Sequence, residues 1–195
     1  MHSKHVIRQH MRQQRRSLGS AELHAAANDV VRSIRQCRQV WNLSNVASYA
    51  EFDGELSPKY LLESLTFTEL YLPTITCSRS CSMHFYPAHR NVIINRFGIK
   101  EPRRLGQPIA SNKLDLILLP LVAFDRTGNR IGMGSGYYDR ALESLAHQQS
   151  TRPLLVGLAH HFQEVTKIQA SEWDIKLDAI LTDREYIPVS PNLSI

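Results

Sequence analysis

The chain has 195 residues, of which 43% are hydrophobic and 21% charged, a composition that excludes an intrinsically disordered protein and predicts one globular domain, residues 1–195. The net charge of +5 is concentrated: residues 1–16 carry five basic residues and no acid, so the rest of the chain is formally neutral. This distribution argues against a surface that is basic throughout and indicates a local anion site or a short basic arm.

The sequence shows neither a targeting segment nor a known cysteine motif. No apolar stretch reaches the ~20 residues of a transmembrane helix, and no apolar segment follows the basic N-terminus as in a secretory signal. A cytoplasmic protein without a membrane partner is therefore expected. Cys37, Cys77 and Cys81 match neither a disulfide framework nor a zinc-binding spacing, so reduced thiols are predicted.

The first predicted helix, residues 4–18, is amphipathic. Ile7, Met11 and Leu18 fall on its apolar face. Basic residues recur every four positions on a neighbouring face: Lys4, Arg8 and Arg12. Such a row can bind a polyphosphate. The simpler interpretation is a charged helix face that is exposed to solvent.

Two more helices are predicted before residue 66. The second begins after Ser20 as its N-cap, and its apolar residues repeat every three or four positions. These residues are Leu23, Ala27, Val30, Ile34 and Cys37. A short strand, 46–50, and a loop containing Glu55 precede the third helix, which Ser57 and Pro58 start as N-cap and first residue.

Strands dominate the remainder of the chain. The predicted strands are 69–75, ending near Pro73, 82–86 with a possible addition from 92–94, 116–119, 154–159 and 179–181. Helices alternating with strands predict an α/β fold with a mainly parallel sheet flanked by helices. Binding sites in such sheets lie at the carboxyl ends of the strands, where three loops qualify. They are the loop with Glu55, the glycine-rich loop after Phe124 and the loop after Ala159.

The glycine-rich loop carries the strongest chemical signal. A turn at 126–129 leads to glycines at alternate positions, 132, 134 and 136, and residues 137–142 read as the start of a helix. Strand, glycine loop and helix start is a layout that presents backbone amides to a phosphate. Arg130 can add a forked pair of donors. The spacing fits neither the usual NTPase phosphate loop nor the dinucleotide-binding fingerprint.

Asp139 follows the last glycine by three residues. A carboxylate beside a phosphate repels it unless a cation lies between them, so Asp139 is a candidate Mg²⁺ ligand. The alternative is a helix N-terminal carboxylate that only favours the helix dipole.

The residues around this loop resemble the signature of the 5-formyltetrahydrofolate cyclo-ligase (5,10-methenyltetrahydrofolate synthetase) family. The resemblance rests on 121–125 followed by 130–140, and on further blocks in the same order along the chain. These blocks are Lys4 with Arg8, 52–56, 98–102, 157–159 and 173–178. The resemblance implies a three-layer α/β/α fold like that of the NagB/RpiA/CoA-transferase group, and a monomer.

The resemblance also implies a reaction and a set of site residues. ATP and 5-formyltetrahydrofolate would give ADP, phosphate and 5,10-methenyltetrahydrofolate, with Mg²⁺ as cofactor and no protein nucleophile. The implied ATP-binding residues are Lys4, Arg8, Arg130, Gly132, Met133, Gly134, Ser135, Gly136, Tyr137 and Tyr138. The implied folate-binding residues are Ala50, Glu55, Met133, Gly134, Ser135, Gly136 and Tyr137. Asp139 and Asp174 are the implied metal ligands.

Glu55 has a chemical reason for its implied role, because a carboxylate accepts the paired N–H donors of a pterin ring. Met83 and Phe85 could add an apolar wall or belong to the core. Three departures from the family pattern affect details of affinity. They are Leu121 in place of a frequent glycine, Ser135 in place of glycine or lysine, and the pair His160–His161.

Two other functions remain open from the sequence. The basic arm could serve a nucleic-acid-binding protein, although the neutral remainder and the lack of interleaved aromatic and basic residues disfavour nucleic acid as a partner. A sugar-phosphate or CoA-handling relative could use the same glycine loop without hydrolysing ATP.

Overall fold

The computed structural model describes residues 3–35, 41, 43–88, 92–145, 152–171 and 174–191. Four α-helices are present in these ranges: α1 (Lys4–Ser17), α2 (Ser20–Ile34), α3 (Lys59–Ser64) and α4 (Tyr137–Leu142). Short 3₁₀ turns occupy Ser111–Lys113, Glu143–Leu145 and His161–Gln163. None of the described helices is both long enough and apolar enough to traverse a bilayer.

The strands in chain order are β1 (Asn45–Ala47), β2 (Glu69–Cys77), β3 (Ser82–Pro87), β4 (Val92–Ile94), β5 (Lys100–Pro102), β6 (Leu116–Pro120), β7 (Ala123–Phe124), β8 (Arg130–Ile131), β9 (Leu154–Ala159), β10 (Ala179–Thr182) and β11 (Tyr186–Pro188). Seven of them form one sheet in the order β11-β10-β9-β6-β1-β2-β3. The five inner strands are parallel, and the edge strands β3 and β11 are antiparallel to their neighbours. The predicted mainly parallel sheet is confirmed.

Strand β6 explains why helices cover both faces of the sheet. Leu116 and Leu118 point into a core shared with α2 and α3, whereas Ile117 and Leu119 point into a second core shared with α4. A central strand with apolar side chains on both faces has to be covered on both sides. The three-layer α/β/α arrangement follows from this single run of residues.

Several predicted element boundaries need correction. Gly19, one residue before the predicted Ser20, is the N-cap of α2, and its backbone N–H donates to the Glu22 carboxylate at 2.7 Å. Pro58 is the N-cap of α3 rather than its first residue. Pro73 lies inside β2, which it can do because β1 pairs with β2 only as far as Tyr71 and leaves that edge of the strand without a ladder partner.

The run 92–94 does not extend β3. It forms β4, which pairs with β5 in a separate antiparallel hairpin. Cys37 lies outside the described residues, and Cys77 and Cys81 are free thiols, as predicted for those two.

Helix α1 packs away from the main sheet, against the β7–β8 hairpin. Met11 joins Val122, Ala123 and Ile131 in a small apolar cluster that holds the helix there. The glycine-rich loop leaves β8 immediately afterwards, so this packing brings the basic face of α1 to the loop.

Candidate functional site

A cavity of roughly 610 Å³ opens at the carboxyl ends of β1 and β6. Every predicted ATP-binding, folate-binding and metal-binding residue lines it: Lys4, Arg8, Ala50, Glu55, Arg130, the loop residues 132–138, Asp139 and Asp174. These residues come from four separate stretches of the chain: 4–8, 50–55, 130–139 and Asp174. The position agrees with the general rule for parallel sheets, and the volume is in the range of small-molecule sites.

The glycine-rich loop is shaped by two positive φ angles, +102° at Gly134 and +70° at Gly136. Gly136 is the N-cap of α4 in the left-handed conformation, which glycine adopts without steric cost. The Arg8 Nε–H donates to the Gly132 carbonyl at 2.8 Å, and the Arg8 guanidinium passes 3.6 Å from the point where a Gly134 Cβ would lie. A side chain at position 134 would therefore contact the Arg8 guanidinium, which is hydrogen-bonded to the loop.

The two predicted metal carboxylates are each paired with a predicted phosphate-binding cation. Asp139 accepts from Arg130, whose guanidinium also donates to the Ile175 carbonyl. Asp174 pairs with Lys4 at 3.3 Å and accepts a second hydrogen bond from the Ser171 backbone N–H at 2.9 Å. Both acids therefore face the same cavity with basic groups beside them.

Asp53, two residues before Glu55, anchors the loop that carries both residues to α1. Asp53 accepts from Arg12 at 2.7 Å, from Arg15 at 3.1 Å and from Arg16. Partial burial alone would raise the pKa of Asp53, but the hydrogen bonds from Arg12 and Arg16 hold that pKa below its ordinary value. Asp53 is thus a permanent anion that binds the loop to the helix.

Gly54 brings the same loop into contact with the α1 backbone. Its φ is +72°, and a Cβ at this position would lie 2.6 Å from the Arg15 carbonyl oxygen. On the other side, its own carbonyl lies 3.1 Å from His160 Nε2. Since a carbonyl only accepts, that nitrogen carries the proton. Burial lowers the pKa of His160, in agreement with this neutral donor tautomer.

Gly54→Ala is expected to destabilise the fold by about 2–4 kcal/mol, because it combines a positive φ with a backbone clash. Gly106→Ala is the matched control, since Gly106 has φ +81° and nothing lies within 4 Å of its added Cβ. The control should lose only about 1 kcal/mol from φ strain. Urea denaturation measures both variants, and equal losses would show that the contact with α1 is unimportant.

Glu55 itself is buried at the floor of the cavity. Its Oε2 accepts from the Phe52 backbone N–H at 3.1 Å, and its Oε1 lies 3.7 Å from Arg15 Nη1. Burial raises the pKa of Glu55 to about 7, against the opposing effect of the Arg15 guanidinium. The carboxylate and carboxylic acid forms are therefore both accessible near neutral pH.

Comparison with known proteins identifies a family. The model of the 5-formyltetrahydrofolate cyclo-ligase family matches residues 1–183. The chain belongs to this family.

Among curated relatives, the 5-formyltetrahydrofolate cyclo-ligase of Haemophilus influenzae is 36% identical over 180 residues, which cover 90% of this chain and 95% of the relative. The enzyme of the same name from Escherichia coli K12 is 34% identical over 88% of this chain and 96% of the relative. An NMR structure of Aquifex aeolicus 5,10-methenyltetrahydrofolate synthetase superposes with a TM-score of 0.79 at 28% identity, covering 98% and 95% of the two chains.

Three departures from the family pattern take defined places in this cyclo-ligase family member. Leu121 is buried over Gly157, where an added Cβ would lie 2.6 Å from its side chain. Ser135 lies exposed on the cavity wall. His160 follows β9 and holds the Gly54 carbonyl, while His161 begins a 3₁₀ turn, so the pair occupies the loop predicted from the sequence.

Sequence reasoning matched 98–102 to a family block but predicted no site residue in the β4–β5 hairpin. Residues from its turn and second strand line the cavity: Asn95, Phe97, Ile99, Lys100 and Glu101. The Glu101 carboxylate is buried and accepts from the Ile75 backbone N–H at 3.1 Å and from the Asn95 amide at 2.7 Å. The available signal was that family block, in which Glu101 is followed by Pro102. Met83 also lines the cavity, whereas Phe85 belongs to the core.

A second group with metal-ligand chemistry lies away from the cavity. His161, Glu164 and Glu185 place potential ligand atoms within 4.8 Å of one another. Arg126 already pairs with both glutamates, at 2.8 Å and 2.5 Å. This group is therefore explained as a surface ion-pair network around a cation of the protein itself.

Proposed function

We propose that this protein is an ATP-dependent 5-formyltetrahydrofolate cyclo-ligase, which converts 5-formyltetrahydrofolate to 5,10-methenyltetrahydrofolate with release of ADP and phosphate. One observation carries the proposal. A single cavity joins a glycine-rich loop flanked by Lys4, Arg8 and Arg130 to a buried hydrogen-bond acceptor, Glu55. The first group suits a triphosphate and the second suits a pterin, so the two substrates would meet between them.

The reaction needs activation of a poor leaving group. The γ-phosphoryl group of ATP is transferred to the formyl oxygen, and ADP leaves. The N10 nitrogen then attacks the formyl carbon, the C–O bond to the phosphate breaks, and loss of the N10 proton gives the methenyl bridge. No covalent bond to the protein is required, so the protein acts by alignment and charge stabilisation.

The residues of the cavity divide these tasks. Arg8 and the amides of the glycine-rich loop would orient the triphosphate, and Arg130 would balance charge that develops on the transferred phosphoryl group. Glu55 would accept N–H donors of the pterin and so fix the direction of the formyl oxygen. Ala50 and the loop residues 133–137 would line the folate.

The residues present also fit Mg²⁺. Asp139 and Asp174 are oxygen donors on one cavity, and an open site with two carboxylates is the kind that Mg²⁺ completes with water and phosphate. When bound, the ion would neutralise phosphate charge. Arg130 and Lys4, which pair with these carboxylates, could then turn to the phosphate oxygens.

The structure does not favour the nucleic-acid alternative. All five basic residues of the arm have partners within the protein. Lys4 pairs with Asp174, Arg8 donates to Gly132, and the other three converge on Asp53. The charge of the arm is directed inward, to the cavity and the Asp53 loop.

The test is to mix the purified protein with MgATP and 5-formyltetrahydrofolate and to follow both the methenyl product, by absorbance, and ADP. One ADP should form for each methenyl product, and EDTA should stop both. Absence of methenyl product would reject the proposal and would favour a relative that uses the glycine loop otherwise. Binding to DNA or RNA that weakens steeply with salt would support the nucleic-acid alternative.

A further inference from the structure

Arg15 is the most deeply buried cation in the described part of the chain. Its side chain is 0% exposed, and it donates to the Leu121 carbonyl at 3.2 Å and to the Asp53 carboxylate at 3.1 Å. Burying a guanidinium is unfavourable unless its charge and donors are matched. Its Nε nevertheless has no hydrogen-bond partner. A buried arginine that is incompletely satisfied calls for a reason other than packing.

Asp53 does not supply that reason. Arg12 and Arg16 already donate to its two carboxylate oxygens, and both are more exposed than Arg15. Besides its hydrogen bond to the Leu121 carbonyl, Arg15 differs from those two arginines in its charged contact with Glu55, whose Oε1 lies 3.7 Å from Arg15 Nη1. Among the ion pairs of the described residues, this is the one that involves Glu55.

Helix α1 carries Arg15 and also the basic residues near the glycine-rich loop. Lys4 and Arg8 lie at the end of the helix that faces the glycine-rich loop, and Arg15 lies eleven residues beyond Lys4. At 1.5 Å per residue, this separation is about 16 Å along the axis. One rigid helix therefore contacts both the predicted nucleotide side and the predicted folate side of the cavity.

We propose that Arg15 is a positioning residue, which holds the Glu55 carboxylate in place for the folate and ties that carboxylate, through α1, to the nucleotide end of the site. This inference rests on the proposed function, because it assumes that Glu55 contacts the folate.

The electrostatic surroundings of Glu55 support this role. The other ionisable groups that act on it are acids, Asp53 and Glu51. The phenols of Tyr49 and Tyr138 also lie close to it: desolvation is the main cause of their raised pKa values, and the charge of Glu55 adds to the rise. Burial raises the pKa of Glu55 to about 7, and Arg15 is the cation that opposes the rise. Without Arg15, the pKa would rise further and the acid form would prevail at neutral pH.

The experiment compares Arg15→Met with Arg16→Met, since Arg16 pairs with the same Asp53 but is 58% exposed. We expect Arg15→Met to raise the folate KM about tenfold at pH 7.5, the effect of losing a largely buried ion-pair partner, while the ATP KM changes less than about twofold. The defect should shrink towards pH 9, where Glu55 ionises again. Arg15→Lys should recover most of the loss, and Arg16→Met should behave like the natural protein.

The same measurements in a Glu55→Gln background separate the outcomes. We expect Arg15→Met to add nothing there, because its target is gone. An equal further loss would show that Arg15 is merely structural and would overturn the inference. A Glu55→Gln variant with unchanged folate KM would instead reject the folate role of Glu55. If Arg15→Met does not fold, Arg15→Gln, which also removes the charge, decides: a rise confined to the folate KM supports the proposal, and equal rises in both KM values or no rise in either contradict it.

Discussion

Asp139→Asn is expected to reduce kcat by about 100- to 1000-fold, the range seen when a charge-stabilising group of an active site is removed. Asparagine keeps the shape of the side chain but withdraws the charge that the proposed Mg²⁺ requires. The neighbouring Arg130 would be released from its ion pair with Asp139. The ATP KM should therefore change little, and the Mg²⁺ concentration that gives half-maximal activity should rise at least about tenfold.

The control is Asp29→Asn, which breaks an Asp–Arg pair on the outer face of α2. Exposed pairs of this kind contribute at most about 1 kcal/mol, so the control should retain full activity and the usual Mg²⁺ requirement. Steady-state kinetics over a Mg²⁺ titration measures both variants. Normal turnover of Asp139→Asn with an unchanged Mg²⁺ requirement would leave Asp139 as a partner of Arg130 and a helix N-terminal residue only.

Glu55→Gln is expected to raise the folate KM about 100-fold and to leave the ATP KM within about a factor of three, because a buried charged acceptor is replaced by an amide that offers one acceptor and unwanted donors. The natural protein should lose folate affinity as the pH falls from 8 to 6, since protonation of a group with a pKa of about 7 removes the acceptor. The variant should lack that part of the pH dependence. Comparable rises in both KM values would reject the pterin assignment.

The stability of the same variant gives an independent readout. The pKa of Glu55 is raised from 4.5 to about 7 in the folded protein. Folding therefore favours the protonated acid. The stability that this form contributes is complete below pH 4.5 and is lost as the pH rises through 7. Relative to the natural protein, Glu55→Gln should gain on the order of 2–3 kcal/mol of unfolding free energy between pH 5 and pH 8. Denaturation curves at the two pH values measure this difference, and a constant difference would show that Glu55 is not buried as an ion.

If Glu55→Gln gains stability but loses folate binding, the acid at position 55 serves function at the expense of stability. Within the 52–56 loop, Glu55 accepts a hydrogen bond from the Phe52 backbone N–H, which the amide oxygen of a glutamine could also accept. Asp53 already pairs with three arginines of α1, so anchoring the loop to the helix does not require an acid at position 55. Glu55 is a destabilising charge in a buried place, and the cavity in front of it supplies the explanation.

The sequence by itself determined the local structure wherever one physical signal dominated. The apolar run at 116–119 predicted a buried parallel strand, and the order of glycines before Tyr137 predicted a loop that leads into a helix. Both are present. The spacing of residues along the chain also placed Lys4 and Arg8 on one helix. Such features depend on neighbours in sequence, so they can be read without knowledge of the fold.

The partners of the charged side chains were decided only by the tertiary structure. Arg15 looked like one more residue of a basic arm, yet it is buried against Asp53, 38 positions away, and Glu55. Lys4 meets Asp174 across 170 positions. The run 92–94 was predicted as a possible addition to the strand at 82–86, but it pairs with 100–102 in a separate hairpin, a partner that two such short strands do not reveal in the sequence. The ion pairs and pKa shifts of these side chains depend on groups that folding brings together. Their separation along the chain does not indicate which groups will meet.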